Sequence, residues 1–210
     1  MRVTWSIPVW GETLASTRGD MVRARHLIGA LRAAGHEVTV VQRTAETGAP
    51  SASDVMVAGY RGVLRRLLPR PVALALRDVS RYANSRAFGK RVAEEARRQG
   101  ADAIVETQMN CATSGAVAAR LTGLPLIVDD CSPSSEEVEV GSGLPGFARR
   151  VLLTQAETAA AVVATSRSVR ERLVAEGVPE EKVRLVRNGV DLDAFEEADR
   201  AAVRERLGLT

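Results

Sequence analysis

Residues 103–130, AIVETQMNCATSGAVAARLTGLPLIVDD, carry the pattern that decides the fold. An apolar run at 103–105 is followed by a helical pattern at about 114–121 and by a second apolar run at 126–128. Gly123 stands where a helix between the two runs would end. Two apolar strands joined by a helix form a βαβ unit, in which both strands run in the same direction. The segment therefore predicts part of a parallel sheet covered by helices.

The same alternation of apolar runs and helical patterns extends along the whole chain. The predicted strands are residues 3–7, 38–41, 54–58, 103–105, 126–128, 161–164 and 183–186, and the predicted helices are residues 20–34, 62–68, 73–98, 114–121, 147–158, 169–176 and 198–207. Strands that alternate with helices in this way are joined by right-handed crossovers. The sequence predicts an α/β fold, a doubly wound parallel sheet of about seven strands flanked by helices.

Local signals place several helix ends. Gly35 follows the first helix at the position of a left-handed C-terminal residue. Pro69 and Pro71 are predicted to separate the second helix from the third. The spacing of Ser168 and Glu171 fits a capping box at the start of the helix predicted at 169–176.

Length and composition are those of an ordinary globular protein. The 210 residues are 45% hydrophobic and 26% charged, which fits one α/β domain or two small ones. No apolar run reaches the ~18–20 residues of a membrane span, and we expect no signal peptide, because Arg2 leads directly into the first predicted strand. Cys111 and Cys131 are too few for a disulfide framework and are not spaced as zinc ligands. We expect a cytoplasmic protein without a bound metal.

The net charge of +3 is unevenly distributed, because the stretch from Arg61 to Arg98 has a large excess of basic residues. This stretch fits either a solvated, arginine-rich helix face or a surface for anionic partners. Aromatic residues make up only 3% of the chain, so base stacking is poorly supported. Nucleic acid is therefore not an expected partner.

In doubly wound sheets, ligands bind at the carboxyl ends of the strands, where the strand order reverses. The loops predicted at those ends are residues 8–20, 106–113, 129–137, 165–167 and 187–191. G-x-x-x-x-G-K-[ST] does not occur in the sequence, and G-x-G-x-x-G occurs only as GSGLPG at 141–146, well beyond the predicted strand at 126–128 rather than directly after it. A dinucleotide-binding domain and a P-loop NTPase are therefore both unfavoured.

One stretch is much more specific than the rest: Gly177-Val178-Pro179-Glu180-Glu181-Lys182-Val183, followed by Val186-Arg187-Asn188-Gly189-Val190-Asp191 and Phe195. It resembles the run that closes the N-terminal domain of family-4 glycosyltransferases. Other runs resemble segments of that family in the same order, namely GHEVTVV at 35–41, DAIVE at 102–106, GLPLIVD at 123–129, and Glu157 followed by VVATS at 162–166. The resemblance covers nearly the whole chain.

The resemblance implies the GT-B architecture, in which two Rossmann-like domains face each other across a cleft. Residues 1–190 would form the N-terminal acceptor-binding domain, and residues 191–210 the connector toward a C-terminal nucleotide-sugar domain outside this sequence. The family transfers a sugar from a nucleotide-diphosphate donor with retention of configuration. The acceptor would be a sugar, a lipid-linked molecule or a small molecule. The donor is a substrate, so no cofactor is expected, and the chain alone is expected to be inactive.

The sequence leaves alternatives for the function of the chain and for the role of one basic stretch. The alternative function is a stand-alone, non-catalytic module that binds a sugar or a lipid head group. The amphipathic stretch from Tyr60 to Arg70 either makes a weak peripheral contact with an anionic membrane, as in some relatives, or is a solvated surface.

The resemblance also suggests residues for the acceptor or donor cleft. Gly19 and Asp20 match the glycine-rich first loop, although Met21 stands where a second glycine is common. Arg18 and Arg23 flank this loop, where they either pair with an anionic group or lie on the surface.

A second group of candidates follows the later strands. Glu106 is expected to end its strand at the cleft, and Asp129 or Asp130 either binds a sugar hydroxyl or caps a turn. Cys131 takes a position where many relatives have a histidine. Ser166 is expected to cap a helix first and to contact a ligand second. Asn188, Gly189 and Asp191 are expected to form an interdomain hinge, because Asn and Gly tolerate left-handed backbone angles.

Overall fold

The computed structural model describes residues 1–9, 13–43, 68–130, 142–189 and 200–208. In these ranges, six parallel strands form one sheet in the order β2-β1-β3-β4-β5-β6. The strands are β1 (Arg2–Ile7), β2 (Glu37–Gln42), β3 (Ala103–Thr107), β4 (Leu126–Asp130), β5 (Ala161–Ala164) and β6 (Val183–Leu185). The chain adds β2 on one side of β1 and all later strands on the other. The strand order therefore reverses between β1 and β3, as in a doubly wound, Rossmann-like sheet.

Six α-helices accompany the strands in the described ranges. They are α1 (Gly19–Ala33), α2 (Arg70–Gln99), α3 (Ser114–Thr122), α4 (Pro145–Thr158), α5 (Arg167–Glu176) and α6 (Arg200–Arg206). A 3₁₀ turn at Glu180–Lys182 precedes β6. Gly35 ends α1 as predicted, because its φ of +83° is a conformation that glycine adopts without steric cost. The Gly35 and His36 amides donate to the Arg32 and Leu31 carbonyls, the pattern of a Schellman motif.

Alternating residues of the central strands pack into two cores on opposite faces of the sheet. The register aligns Thr4, Ile104 and Leu126 on one face and Trp5, Val105 and Ile127 on the other. The larger core packs this first face against α2, α3, α4 and α5. The smaller core packs Trp5 and its neighbours against α1, through Met21, Ala24 and Ile28. The burial of both faces explains why the strands are almost continuously apolar in sequence.

The predicted α/β class and parallel sheet are confirmed, and several details are corrected. Six strands rather than seven form the sheet, and the predicted strand at 54–58 lies outside the described residues. The predicted helix at 62–68 also lies almost entirely outside them. Helix α2 begins at Arg70 instead of 73, because Pro71 is accommodated in its first turn. The predicted capping box of Ser168 is wrong, since the side chain of Ser166 caps α5.

Candidate functional site

The reversal of strand order places the carboxyl ends of β1 and β3 side by side. Trp5 Nε1 donates to Thr107 Oγ1 (3.0 Å), which joins the two strands near these ends. The loop after β1 leads into α1, and the loop after β3 leads into α3. The amino ends of both helices therefore lie at the same edge of the sheet as the reversal, where doubly wound sheets bind ligands.

Arg18, Gly19 and Asp20 form the start of α1. Arg18 donates through Nε and Nη2 to the two carboxylate oxygens of Asp20, at 3.1 and 2.8 Å. Half of the Arg18 side chain is exposed. Among the described residues, no atom lies within 4 Å of a Cβ built at Gly19, so none of these residues fills the space beside this first turn. Arg18, at the N-cap position of α1, makes no side-chain capping hydrogen bond to it.

Arg23 is buried and joins three parts of the chain. Its Nε donates to both carboxylate oxygens of Asp129 (3.1 Å each), and its Nη2 donates to Asp129 Oδ1 (2.9 Å) and to the Val186 carbonyl (3.1 Å). Its Nη1 donates to Asn188 Oδ1 (2.7 Å). Only 6% of the Arg23 side chain and 2% of the Asp129 side chain are exposed. Of the two sequence-based alternatives, the anionic partner is the one observed, and it is a carboxylate of the protein itself.

Glu106 is fully buried, one residue before the end of β3. Ser6 donates to its carboxylate (3.1 Å), as do Ser114 at the start of α3 and Gln155 of α4. Burial raises the pKa of Glu106 to about 7, and the hydrogen bonds of these side chains and of the Gly115 backbone offset only part of that effect. The carboxyl group is enclosed between β1, α3 and α4, so it does not face the crevice as the sequence suggested.

The remaining candidates are more dispersed. Asp130 is buried as the last residue of β4, and Cys131 and Asp191 lie outside the described residues. Ser166 caps α5, and its hydroxyl accepts from the Val169 amide (3.2 Å). Neither Asn188 nor Gly189 has a positive φ, so the left-handed angles that these residue types tolerate are not adopted here, and the hinge role stays a prediction. Asn188 instead accepts a hydrogen bond from the buried Arg23.

Asp78 of α2 is an important polar residue that the sequence analysis did not single out. It is fully buried and accepts hydrogen bonds from Ser142 Oγ (2.7 Å) and the Gly143 amide (2.8 Å), just before α4. Burial alone would raise the pKa of Asp78, but the hydrogen bonds from Ser142, Arg77 and Gly143 lower it below the ordinary value. In the sequence, Asp78 stands out only because it is the one acidic residue between positions 61 and 93.

Cys111 is the one free cysteine among the described residues, and it is buried. Cys111 lies in the loop between β3 and α3 with a φ of +61°, and burial raises the pKa of its thiol to about 11. The thiol is therefore protonated at neutral pH and is a poor nucleophile.

Among the described residues, no three His, Cys, Asp or Glu side chains come together in a way that could hold a metal ion.

Comparison with known proteins decides the family. The model of the family "Glycosyltransferase Family 4" matches residues 19–194, which include α1, all strands after β1 and the segment held by Arg23. The chain belongs to glycosyltransferase family 4. The resemblance inferred from the sequence is confirmed. No curated protein matches this family-4 chain.

Solved structures agree on the fold of this family-4 domain. Sucrose-phosphate synthase from Thermosynechococcus elongatus matches with a TM-score of 0.61 and 17% identity, over 100% of this chain and 53% of its own. UDP-N-acetylglucosamine 2-epimerase from Rickettsia bellii matches with a TM-score of 0.55 and 15% identity, over 100% and 52%. Anabaena HepE in complex with UDP matches with a TM-score of 0.51 and 16% identity, over 99% and 50%. The family-4 chain thus spans about half the length of each of these structures.

Within the described part of the chain, no helix has both the length and the apolar composition needed to cross a membrane.

Proposed function

We propose that this chain is the acceptor-binding half of a GT-B glycosyltransferase. The complete enzyme would transfer a sugar from a nucleotide-diphosphate sugar to an acceptor, with retention of configuration. The observation that carries the proposal is the family match over residues 19–194, on a chain that spans about half of its structural neighbours. Residues 1–190 would be the acceptor-binding domain, and residues 191–210 would lead toward a nucleotide-sugar domain.

The geometry at the sheet edge supports an acceptor site near α1. The first turn of α1 carries Arg18 and Asp20 at its start, and no described residue fills the space beside Gly19. Backbone N–H groups at a helix start are donors for phosphate or hydroxyl oxygens. Asp129 is bound by the buried Arg23, so we assign it to the protein framework rather than to the acceptor.

The nature of the donor is proposed from the neighbours. Anabaena HepE was solved in complexes with UDP and with UDP-glucose, and it shares the fold of this chain at low identity. A nucleotide-sugar donor fits the family, and the donor is a substrate, so we propose no cofactor and no metal. We also propose a cytoplasmic location, with a peripheral membrane contact near Tyr60 to Arg70.

The first experiment is the intact mass of the native gene product. A mass near twice the 22.5 kDa of this chain would support a two-domain transferase. The longer protein and the 210-residue chain are then compared for sugar transfer from nucleotide sugars to sugar and lipid-linked acceptors. We expect transfer by the longer protein alone, and NMR of the product identifies the anomer. A native mass equal to this chain would instead favour a stand-alone binding module.

A further inference from the structure

After β6 the chain leaves the sheet through residues 186–188, which are exposed but bound by several hydrogen bonds. The Val186 amide donates to the Ala164 carbonyl (2.9 Å), which continues the edge of the sheet. The Val186 carbonyl and Asn188 Oδ1 then accept from Arg23, at 3.1 and 2.7 Å. Residues 186–188 are thus attached both to β5 and to α1, through groups that lie far apart in the sequence.

An arginine is required for this arrangement because its donors point in several fixed directions. Nε and one N–H of Nη2 donate to Asp129. The other N–H of Nη2 donates to the Val186 carbonyl, and Nη1 donates to Asn188 Oδ1. A planar guanidinium can serve acceptors on two sides at once, whereas the ammonium group of a lysine is a single point charge. Asp129 neutralises the buried charge, so that the guanidinium remains stable at this depth.

We infer that Arg23 is a positioning residue that fixes the direction in which the chain leaves β6. The inference rests on the proposed function, in which a second domain follows this segment. Arg23 lies on α1, the helix whose first turn carries Arg18, Gly19 and Asp20. The same helix therefore borders the proposed acceptor site and, through Arg23, binds residues 186–188, the exit segment. Because Arg23 connects the two, a shift of α1 on acceptor binding would also move residues 186–188.

The test uses Asn188→Ala, because this change removes one acceptor and leaves the Arg23–Asp129 pair intact. Backbone ¹⁵N relaxation of the 210-residue chain gives order parameters for residues 187–189. We expect values of ~0.85 in the wild type and ~0.6 in the variant, with the melting temperature almost unchanged. Arg187→Ala, at the exposed neighbouring position, is the matched control and should leave the order parameters as they are.

Arg23→Lys provides a second variant that keeps the positive charge. It should loosen residues 187–189 as Asn188→Ala does, because one ammonium cannot serve Asp129 and Asn188 together. Order parameters that stay at wild-type values in both variants would overturn the inference.

The longer protein separates this inference from the proposed function. If it transfers sugar, Asn188→Ala should lower kcat by about 10-fold or more relative to Arg187→Ala, because misplaced halves align the reactants poorly. An unchanged kcat would refute a positioning role in catalysis. If the wild-type longer protein transfers no sugar, the proposed function fails, and the order parameters still decide whether Arg23 holds the segment.

Discussion

Arg18 and Arg23 both pair with an aspartate, but only the second pair is buried. Replacing each arginine with methionine keeps most of the side-chain volume and removes the charge. We expect Arg23→Met to lower the free energy of unfolding by about 3–5 kcal/mol, because Asp129 is then left charged and buried. Arg18→Met should cost less than about 1 kcal/mol, since its pair is half exposed. Urea denaturation measures both values, and equal losses would contradict this account.

The carboxyl group of Glu106 makes stability depend on pH in an unusual direction. Its pKa of about 7 in the folded protein lies above the ordinary value of 4.5, so the folded state retains a proton that the unfolded chain has lost. The stability that this proton provides is complete at low pH and disappears as the pH rises toward 7. From about pH 5 to about pH 8, the contribution falls by roughly 2–3 kcal/mol.

Glu106→Gln tests this effect, because an amide cannot ionise and keeps the shape of the side chain. The free energy of unfolding of the variant relative to wild type should rise by roughly 2–3 kcal/mol between about pH 5 and about pH 8. Glu205→Gln, at an exposed position on α6, is the control and should show no such trend. Denaturant titrations at several pH values measure the difference, and parallel curves for wild type and Glu106→Gln would rule the effect out.

Two glycines inside helices predict opposite outcomes for the same substitution. A Cβ at Gly89 of α2 would lie 2.7 Å from the Ser114 carbonyl and 2.8 Å from Val117 Cβ, so α2 and α3 would have to separate. We expect Gly89→Ala to cost about 1–3 kcal/mol. Gly29 of α1 is exposed, with nothing within 4 Å of a built Cβ, so Gly29→Ala should gain about 0.5–1 kcal/mol. Thermal unfolding of both variants checks the contrast in sign.

Asp78 connects two helices, and its charge is expected to matter at acid pH. Its lowered pKa means that the stabilisation is complete above the ordinary pKa, 3.8, and is lost as the pH falls through the folded-state value. Asp78→Asn should therefore destabilise the protein clearly at about pH 6, and its difference from wild type should shrink as the pH falls below 3.8. A constant difference across this range would show that the charge of Asp78 does not contribute.

The sequence was sufficient to predict the parallel sheet but not the buried polar contacts between distant residues. The strands were predictable because a parallel sheet buried on both faces requires continuous apolar runs, such as those at 103–105 and 126–128. Arg23 could not be assigned, because its partners Asp129 and Asn188 approach it only in the folded chain. Asp78 stood out as an isolated acidic residue, but the sequence did not indicate that it would bind Ser142 and Gly143 before α4. Polar contacts between distant residues depend on tertiary geometry, which periodicity does not encode.

The outer face of α2 carries apolar residues that bear on the proposed membrane contact. Val72, Leu76 and Val79 are 45%, 51% and 49% exposed, and their spacing places them on one side of the helix. The segment from Tyr60 to Arg70, most of which lies outside the described residues, precedes them and is basic. An apolar helix face beside basic residues is typical of proteins that bind anionic membrane surfaces.

Vesicle sedimentation tests this contact in the 210-residue chain. We expect binding to vesicles that contain phosphatidylglycerol, little binding to neutral vesicles, and weakening at high salt, because arginines supply part of the attraction. Leu76→Ser should lower the affinity by about 10-fold, through the lost transfer of its side chain into the lipid. Leu121→Ser on α3, where the leucine is 46% exposed, is the matched control. Equal losses in the two variants, or equal binding to both kinds of vesicle, would show that α2 does not face the membrane.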